Sequence, residues 1–559
     1  MDTKNVLLAV VLSTIVLIFW AVFFEAPIVE QKKIQDEVTK NEESSTPSIE
    51  KIETSNKTSR TEAIKSVDRV KLENDNIKGS ISLEGGIIDD IIFKNYNENL
   101  ESNENVIFLN PKNSQQGYYI ETGWASSDSQ NLELPLDNTI WKIKGNTSLT
   151  PNNPITLEWE NKEGLIFEKK IELDNKFLFK ITQTIRNNTN KSFQFFPYGQ
   201  ITRNYKPKVT PIYILHEGFL GVFGDELKEM DYKDIEEKKF TISSSKGWLG
   251  ITDKYWLTAI VPEKEKNFKS EFLSKDKKYR ANFIIKEPLI LNPNQEINSK
   301  INAFVAAKEV AVIDDYAEKL NIEKFDLAID WGWFYFFTKP LFFIIDYFFR
   351  LTGNFGLAIV IITALVRLIF FPLANYSFRS MAKMKVLQPE MIRLKELHKD
   401  DKVKLQQEMM ALYKREKVNP ISGCLPVLIQ IPFFFAIYKM LYVTLEMRHQ
   451  PFFGWIQDLS ARDPTSIFNL FGLIPWDPPT FLMIGVWPIL MGLSMYLQQK
   501  LNPTPPDPIQ AKIFMFFPLF LTIILAPFPS GLVVYWTINN ILTIAQQWVI
   551  MRGTKVKTV

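Results

Sequence analysis

Apolar residues recur along this chain in two rhythms. Val6 to Phe24 is an unbroken run of 19 uncharged residues. From about Val70 to Ala306 the apolar positions alternate with polar ones in short runs such as IKGSISL (77 to 83), LIFEKKIEL (165 to 173), FLFKITQTI (177 to 185) and ANFIIKEPLIL (281 to 291). Asn, Gly, Pro and Lys clusters separate them, and period-two runs at this spacing predict an antiparallel β-sandwich. Long apolar runs then return: Asn354 to Asn375, about Pro420 to Val443, Phe481 to Leu497, Ile513 to Ala526 and Gly531 to Ile550. Since about 20 apolar residues at 1.5 Å of rise cross a bilayer, the pattern predicts six membrane spans, with the sandwich between the first and second.

The polar segments give the order of the parts. Val6 to Phe24 exceeds the apolar core of a cleavable signal and ends in Phe-Phe-Glu without a small-x-small site, so an uncleaved anchor is the better reading than a signal peptide. Residues 28–69 have the Lys, Glu, Ser, Asn and Thr composition of a disordered tether. Lys308 to Phe325 reads as a helix leaving the sandwich. The aromatic stretch after it, interrupted by Lys339, Asp346 and Arg350, suits an amphipathic helix lying in the membrane interface better than an extra span. After Asn375 two helical periodicities flank His398-Lys-Asp-Asp401, an αα-hairpin with 11 basic residues against six acidic ones. Either that excess is a topological signal alone or it also binds polypeptide, ribosome or anionic lipid.

The expected organisation is an N-terminal anchor (1–27), a tether (28–69), a β-sandwich domain with a C-terminal helix (70–325) and an interfacial helix (326–350). A span carrying an arginine (351–376), a helical hairpin (377–419), four further spans (420–552) and a basic tail (553–559) complete it. The basic hairpin and tail, set against an acidic segment 446–479, place the hairpin and both termini in the cytoplasm and the β domain outside. The turn at Pro527 to Gly531 joins the last two spans tightly, and the short run before it suggests a locally thinned bilayer.

Composition then narrows the chemistry. The 559 residues carry a formal net charge of +2, which gives no sign of a nucleic acid substrate. A single cysteine, Cys424, excludes an internal disulfide and a cysteine-based metal cluster. No phosphate-binding loop, nucleophile elbow or metalloprotease string occurs. No catalytic residues, cofactor or metal are expected, and the chain is not read as an enzyme.

The informative residue is Arg367, seven positions before Ala374 and so roughly 10 Å inside its span. An arginine at membrane depth costs about 2.5 to 3.5 kcal/mol on insertion scales and normally faces water, a partner or a pathway, although its long stem also permits snorkelling to the nearer surface. Inside the five later spans the only other charge is Lys439, near an outer end; no Asp, Glu or His joins it, as an ion-coupled carrier would require. Tyr535, Asn539, Thr543 and Gln546 share one helical face, and Thr363 and Gln430 are placed to join them. Such residues also serve as plain interhelical hydrogen-bond partners. Around an arginine without a counter-charge they favour a hydrated cavity suited to a polar guest.

At these residues the chain resembles the YidC/Oxa/Alb family of membrane protein insertases, Gram-negative YidC type. The strings that carry the resemblance are IITALVR, ending in Arg367, MAKMKVLQPEM (381 to 391), QQEMMALYKREKVNPISGCLPVLIQIPFF (406 to 434), DLSARDP (458 to 464) and FPSGLVVYW (528 to 536). The likeness is strong over about 330 to 552, while the β domain is matched by position, size and GWLGITDKYWLTAIVP (247 to 262). It implies an α-helical membrane bundle of six spans, five forming the core, plus a periplasmic β-supersandwich. It also implies that Arg367 lies in a hydrophilic groove that receives the polar part of a nascent integral membrane protein, with Thr363 and Trp536 facing that substrate. A bacterial inner membrane location follows, with the Sec translocon and its accessory subunits, the ribosome, the signal recognition machinery and membrane lipids as partners. Residues 465 to 479 lengthen the outer loop relative to the family. A small-solute transporter would need an internal repeat, which is not seen, and an intramembrane enzyme lacks a nucleophile with its base.

Overall fold

In a computed structural model the chain is described for residues 58–127, 132–209, 215–399, 401–419, 425–476, 478–479, 482–502 and 508–553. The expected anchor, most of the tether, Cys424 and the tail lysines Lys555 and Lys557 lie outside the described residues.

Strands between Arg69 and Ala307 build two stacked sheets. The first has 11 strands and runs from Phe240–Ser244 at one edge through Phe193–Arg203, Tyr118–Ser126 and Ile77–Ser82 to Ser148–Leu149. The second has nine, from Glu226–Asp231 through Glu296–Ala307 and Leu178–Asn187 to Lys142–Lys144. Pairing is antiparallel except where Arg69–Glu73 meets Ser148–Leu149. The alternation in LIFEKKIEL appears as burial of every second residue, and Ile171 sits opposite Ile181 across the ladder. ANFIIKEPLIL is not one strand: Lys278–Ile285 and Leu289–Leu291 are separated at Pro288, which has no N–H to give the ladder.

One position breaks the apolar alternation. Lys169 is buried between the sheets, where its Nζ donates to Gly86 O at 3.1 Å and Thr122 O at 2.9 Å and faces the Trp141 ring. Burial pulls its pKa down to about 8. The two carbonyls come from the opposite sheet, so this lysine is a cross-sheet strut.

Two short helices, α1 (Arg60–Lys65) and α2 (Tyr232–Glu237), decorate the sandwich. The last strand leads into α3 (Val310–Lys319), a short 3-10 turn at Phe325–Ala328 and α4 (Tyr335–Thr352). Helix α4 buries Leu341, Phe342 and Ile345 and exposes Phe336, Phe343, Tyr347 and Leu351, a greasy outward face. Gly353, with φ of 69°, ends it in the left-handed conformation that glycine adopts without a Cβ clash. Phe349 stacks on Phe355 with ring centroids 3.7 Å apart, which fixes α4 against the next helix, α5 (Phe355–Ile369).

The apolar run Asn354 to Asn375 was expected as one span; the chain turns by 68° between α5 and α6 (Phe371–Leu397). Pro372 explains the break, since its ring displaces the carbonyl one turn earlier and it donates no hydrogen bond. Helices α7 (Lys402–Arg415), α8 (Leu425–Val443), α9 (Val486–Leu501), α10 (Pro508–Leu525) and α11 (Ser530–Gly553) follow. Asp401 caps α7 by accepting from the Val403 and Lys404 amides. Among the described residues no single helix is long and apolar enough to cross a membrane by itself. The bent pair α5–α6 passes on length and composition, and shorter apolar helices, Gln430–Val443 and Ala511–Leu525, lie within α8 and α10. The apolar part of α10, Ala511–Leu525, is short, as read from hydropathy, although the helix as a whole has 18 residues. In the lengthened outer loop, Leu470 and Phe471 have positive φ and expose their side chains.

The sandwich and the helical unit are joined by charged contacts. Lys439 of α8 pairs with Asp330 at 2.7 Å, and Lys339 of α4 reaches Asp314 and Asp326 at 2.9 and 2.8 Å. Arg448 donates to Asn97 O at 2.7 Å and Glu98 O at 3.0 Å, with its guanidinium over the Tyr255 and Trp256 rings. Glu446, just beyond α8, accepts from the Val310 amide at 2.6 Å and so caps α3 from a distant part of the chain.

Candidate functional site

Asn354 starts α5 by accepting from the Leu357 amide at 3.0 Å, and the helix buries Phe355, Ala358, Ile359, Ile362 and Thr363 against its neighbours. That packing leaves Arg367 in the last turn, two residues before Ile369, rather than deep in a longer span. The helix C-terminus is also where backbone carbonyls favour a cation.

The guanidinium is held by two carboxamides. Arg367 Nε and Nη2 donate to Asn539 Oδ1 at 2.9 and 2.6 Å, and Nη2 donates to Gln430 Oε1 at 2.9 Å. Three helices, α5, α8 and α11, therefore converge on one charge, and no carboxylate pairs with it among the described residues. The expected polar face is present, but its hydroxyls are partly spent locally. Thr363 donates to Ile359 O and Thr543 to Asn539 O, both at 2.6 Å within their own helices.

Around Arg367 lies a cavity of about 40 Å³ lined by Thr363, Gln430, Tyr535, Asn539 and Gln546, with Leu341, Val366 and Phe433 among its apolar walls. That volume holds a few waters at most. The carboxamides that meet the arginine fill much of the space between the helices, which keeps the cavity small. Both side-chain amide atoms of Gln546 are buried without a hydrogen-bond partner.

Thr543 and Trp536 do not line this cavity. Trp536 packs edge-on to Phe434 at 4.8 Å and faces a second cavity of about 290 Å³ between α8, α9, α10 and α11. Its polar lining is all carboxamide: Gln430, Gln498, Gln499, Asn502, Asn539 and Asn540. Gln430 and Asn539 thus form the wall between the two cavities. The sequence reading missed Asn540, which donates to Ser494 Oγ at 3.0 Å, and Gln547, which donates to Asn502 Oδ1 at 3.1 Å. The doublets Asn539-Asn540 and Gln546-Gln547, two turns apart on α11, were the available signal: adjacent residues on a helix face about 100° apart and so serve two neighbouring spaces.

A half-buried arginine among apolar helices, met among the described residues by neutral amides and joined to a large β-sandwich, defines a membrane-embedded unit with an attached soluble domain. Comparison with known proteins gives the class its name. Residues 347–557 match the family model described as 60Kd inner membrane protein, and residues 69–344 match the one described as YidC periplasmic domain. A relative named Membrane protein insertase YidC, from Pelagibacter ubique (strain HTCC1062), is 57% identical over 561 residues and the alignment covers 100% of both chains. One of the same name from Brucella melitensis biotype 1 is 43% identical, covering 100% of this chain and 96% of its own. A crystal structure of an active YidC insertase aligns at 17% identity and TM-score 0.35, covering 86% of this chain and 92% of its own. The chain belongs to the YidC family of membrane protein insertases. It is accordingly an inner-membrane protein with a periplasmic β domain, and its clients are membrane proteins.

Proposed function

We propose that the Arg367 cavity is the closed form of the groove through which this insertase hands a client's polar segment across the membrane. The observation that carries the reading is that, among the described residues, Arg367 pairs with the carboxamides of Asn539 and Gln430 and with no carboxylate. A hydrogen bond between a charged and a neutral group contributes about 1.5 to 3 kcal/mol, whereas breaking a buried ion pair costs about 3 to 5 kcal/mol. A polar or acidic stretch of a client can therefore replace the amides at modest cost, and separation of Gln430 from Asn539 joins the two cavities. Thr363, Tyr535, Trp536 and Thr543 complete the substrate-facing set. Release of the client's apolar segment into lipid is downhill by about 25 cal/mol per Å², so the step needs no nucleotide and no covalent chemistry, and the chain acts as an insertase and folding chaperone rather than an enzyme.

The proposed topology has six spans with both termini in the cytoplasm, consistent with the basic hairpin 377–419. The protein works alone on small clients and with the Sec translocon, ribosome and signal recognition machinery on larger ones. The experiment is insertion of a small single-span or double-span client into liposomes that hold only the purified chain, scored by protease protection. Arg367→Ala is expected to lose most protection and Arg367→Lys to retain part of it. Full insertion by the Ala variant would refute the groove, and insertion only on addition of the Sec translocon would make the protein an accessory chaperone.

A further inference from the structure

A second charged site lies on the far side of the α5–α6 bend. Helix α6 contributes Arg379 and Lys383, the end of α7 and the loop after it contribute Lys414 and Lys417, and α11 contributes Arg552; together they line an open cavity of about 1090 Å³. The cations come from three elements separated by long stretches of chain, so the fold brings them together. No carboxylate lines the cavity, and none of these cations makes an ion pair among the described residues. The next acidic group along, Glu416, is taken by Arg415 at 3.1 Å. Ser380 donates to Asn419 O at 3.3 Å, which holds the loop carrying Lys417 against α6.

The surroundings indicate what neutralises this charge. The cavity begins at Pro372, at the second position of α6. Leu368, Ile369 and Phe371 are exposed beside it, and on α11 Trp548 and Val549 are exposed while the Arg552 guanidinium lies 3.9 Å over the Trp548 ring. Tyr376 and Tyr413, with an apolar body and a polar tip, stand in the wall, as is usual at a membrane interface. A basic hollow edged by exposed apolar side chains has the shape of an amphiphile, and its size is that of a ligand site rather than of a single ion. The geometry points to a binding site for the headgroup of an anionic glycerophospholipid, its phosphate among Arg379, Lys383, Lys414, Lys417 and Arg552 and its acyl chains along the apolar rim of α5 and α11. Clustered basic residues at the cytoplasmic surface bind such lipids by charge, and here the hollow adds a fixed position next to the bend that follows Arg367.

Native mass spectrometry of the full chain in detergent tests this, with dioctanoyl phosphatidylglycerol and dioctanoyl phosphatidylcholine supplied in equal amounts. Phosphatidylglycerol adducts are expected to exceed phosphatidylcholine adducts about tenfold or more. That preference is expected to vanish when the five cavity cations are changed to Gln and to survive when Lys385, Lys399, Lys402 and Lys404, outside the cavity, are changed instead. The single changes Lys383→Gln and Lys414→Gln, at exposed positions that leave the packing intact, should each weaken it by a graded amount. Equal loss in the two multiple variants, or no loss in any cavity variant, would overturn the site. Displacement of the lipid by millimolar inorganic phosphate would make it a free-phosphate site, and loss of binding to a short RNA hairpin with lipid adducts unchanged would make it a nucleic acid contact; either result refutes the lipid assignment.

Discussion

Changing Glu446 to glutamine removes a proton-dependent contact between the outer loop and the periplasmic domain. Its carboxyl caps α3 through the Val310 amide, while its other oxygen, Oε2, is buried without a hydrogen-bond partner among the described residues. Burial, reinforced by Glu309 and Asp346, raises its pKa from 4.5 to about 7 against the opposing hydrogen bond from Val310. The docked carboxyl therefore binds its proton more tightly than one released to water. The extra stability is complete below pH 4.5 and is lost as pH rises through about 7. A shift from 4.5 to about 7 at 1.36 kcal/mol per pH unit corresponds to about 3 kcal/mol in full. Between pH 8 and pH 6 the released part is about 1.3 kcal/mol, close to tenfold in the opening equilibrium.

Amide hydrogen exchange of the peptide containing Val310 to Ile313 reads that equilibrium directly, after correction for intrinsic exchange at each pH. Wild-type protection is expected to fall about tenfold from pH 6 to pH 8. Glu446→Gln keeps the acceptor for Val310 and supplies two N–H donors where the protonated acid had one O–H, so its protection should be flat with pH and higher than wild type at pH 8. The same pH dependence in the Gln variant, or none in the wild type, would refute the assignment of the proton to Glu446.

Two further changes probe the packing that holds the site. At Gly492 of α9 an added Cβ falls 2.0 Å from Thr522 Oγ1 of α10, so Gly492→Leu must force the two helices apart; a loss of about 1 to 3 kcal/mol is expected, seen as a lower unfolding temperature in detergent, and an unchanged one refutes the close approach. Arg448→Met keeps the apolar stem but gives up the bonds to Asn97 O and Glu98 O, at an expected cost of about 1.5 to 3 kcal/mol. Faster exchange of residues 97–105 with an unaltered sandwich core checks it; unchanged exchange there would show that the clasp contributes nothing.

The β-sandwich was legible because burial and alternation are the same fact in a two-layer sheet: LIFEKKIEL shows its inner face in the sequence, and only Lys169 runs against it. The charged clasp was not legible. Glu446 and Val310 are 136 positions apart, and neither has a periodicity that points to the other. The bend after Ile369 lay in between: Pro372 was visible, yet hydropathy averages over it and reports one run where there are two helices. Thr363, Gln430, Tyr535, Asn539 and Gln546 line the cavity around Arg367 and Thr543 does not, and spacing says nothing about which of these contacts are made. Gln430 and Asn539 lie 63 and 172 positions from Arg367, and the fact that they grip it, leaving room for a few waters, belongs to the packing of three helices.

That closure has a physical logic of its own. An unpartnered guanidinium at this depth would draw in water or counter-ions, and a carboxylate partner would hold it so firmly that no passing segment competes. Amides lie between these limits, since each offers a carbonyl strong enough to satisfy the cation while carrying no charge that must be dragged out of water when the bond is exchanged. The hydroxyls of Thr363 and Thr543, bonded back to their own helices, add no further grip and keep acceptor lone pairs free. Asn539 carries the heavier share of the hold, accepting two of the three bonds to Arg367, and it stands in the wall shared with the carboxamide-lined cavity. On the proposed reading, a motion that withdraws Asn539 leaves the cation held by Gln430 alone and opens the wall in the same step, which would couple exposure of the charge to the space a guest enters.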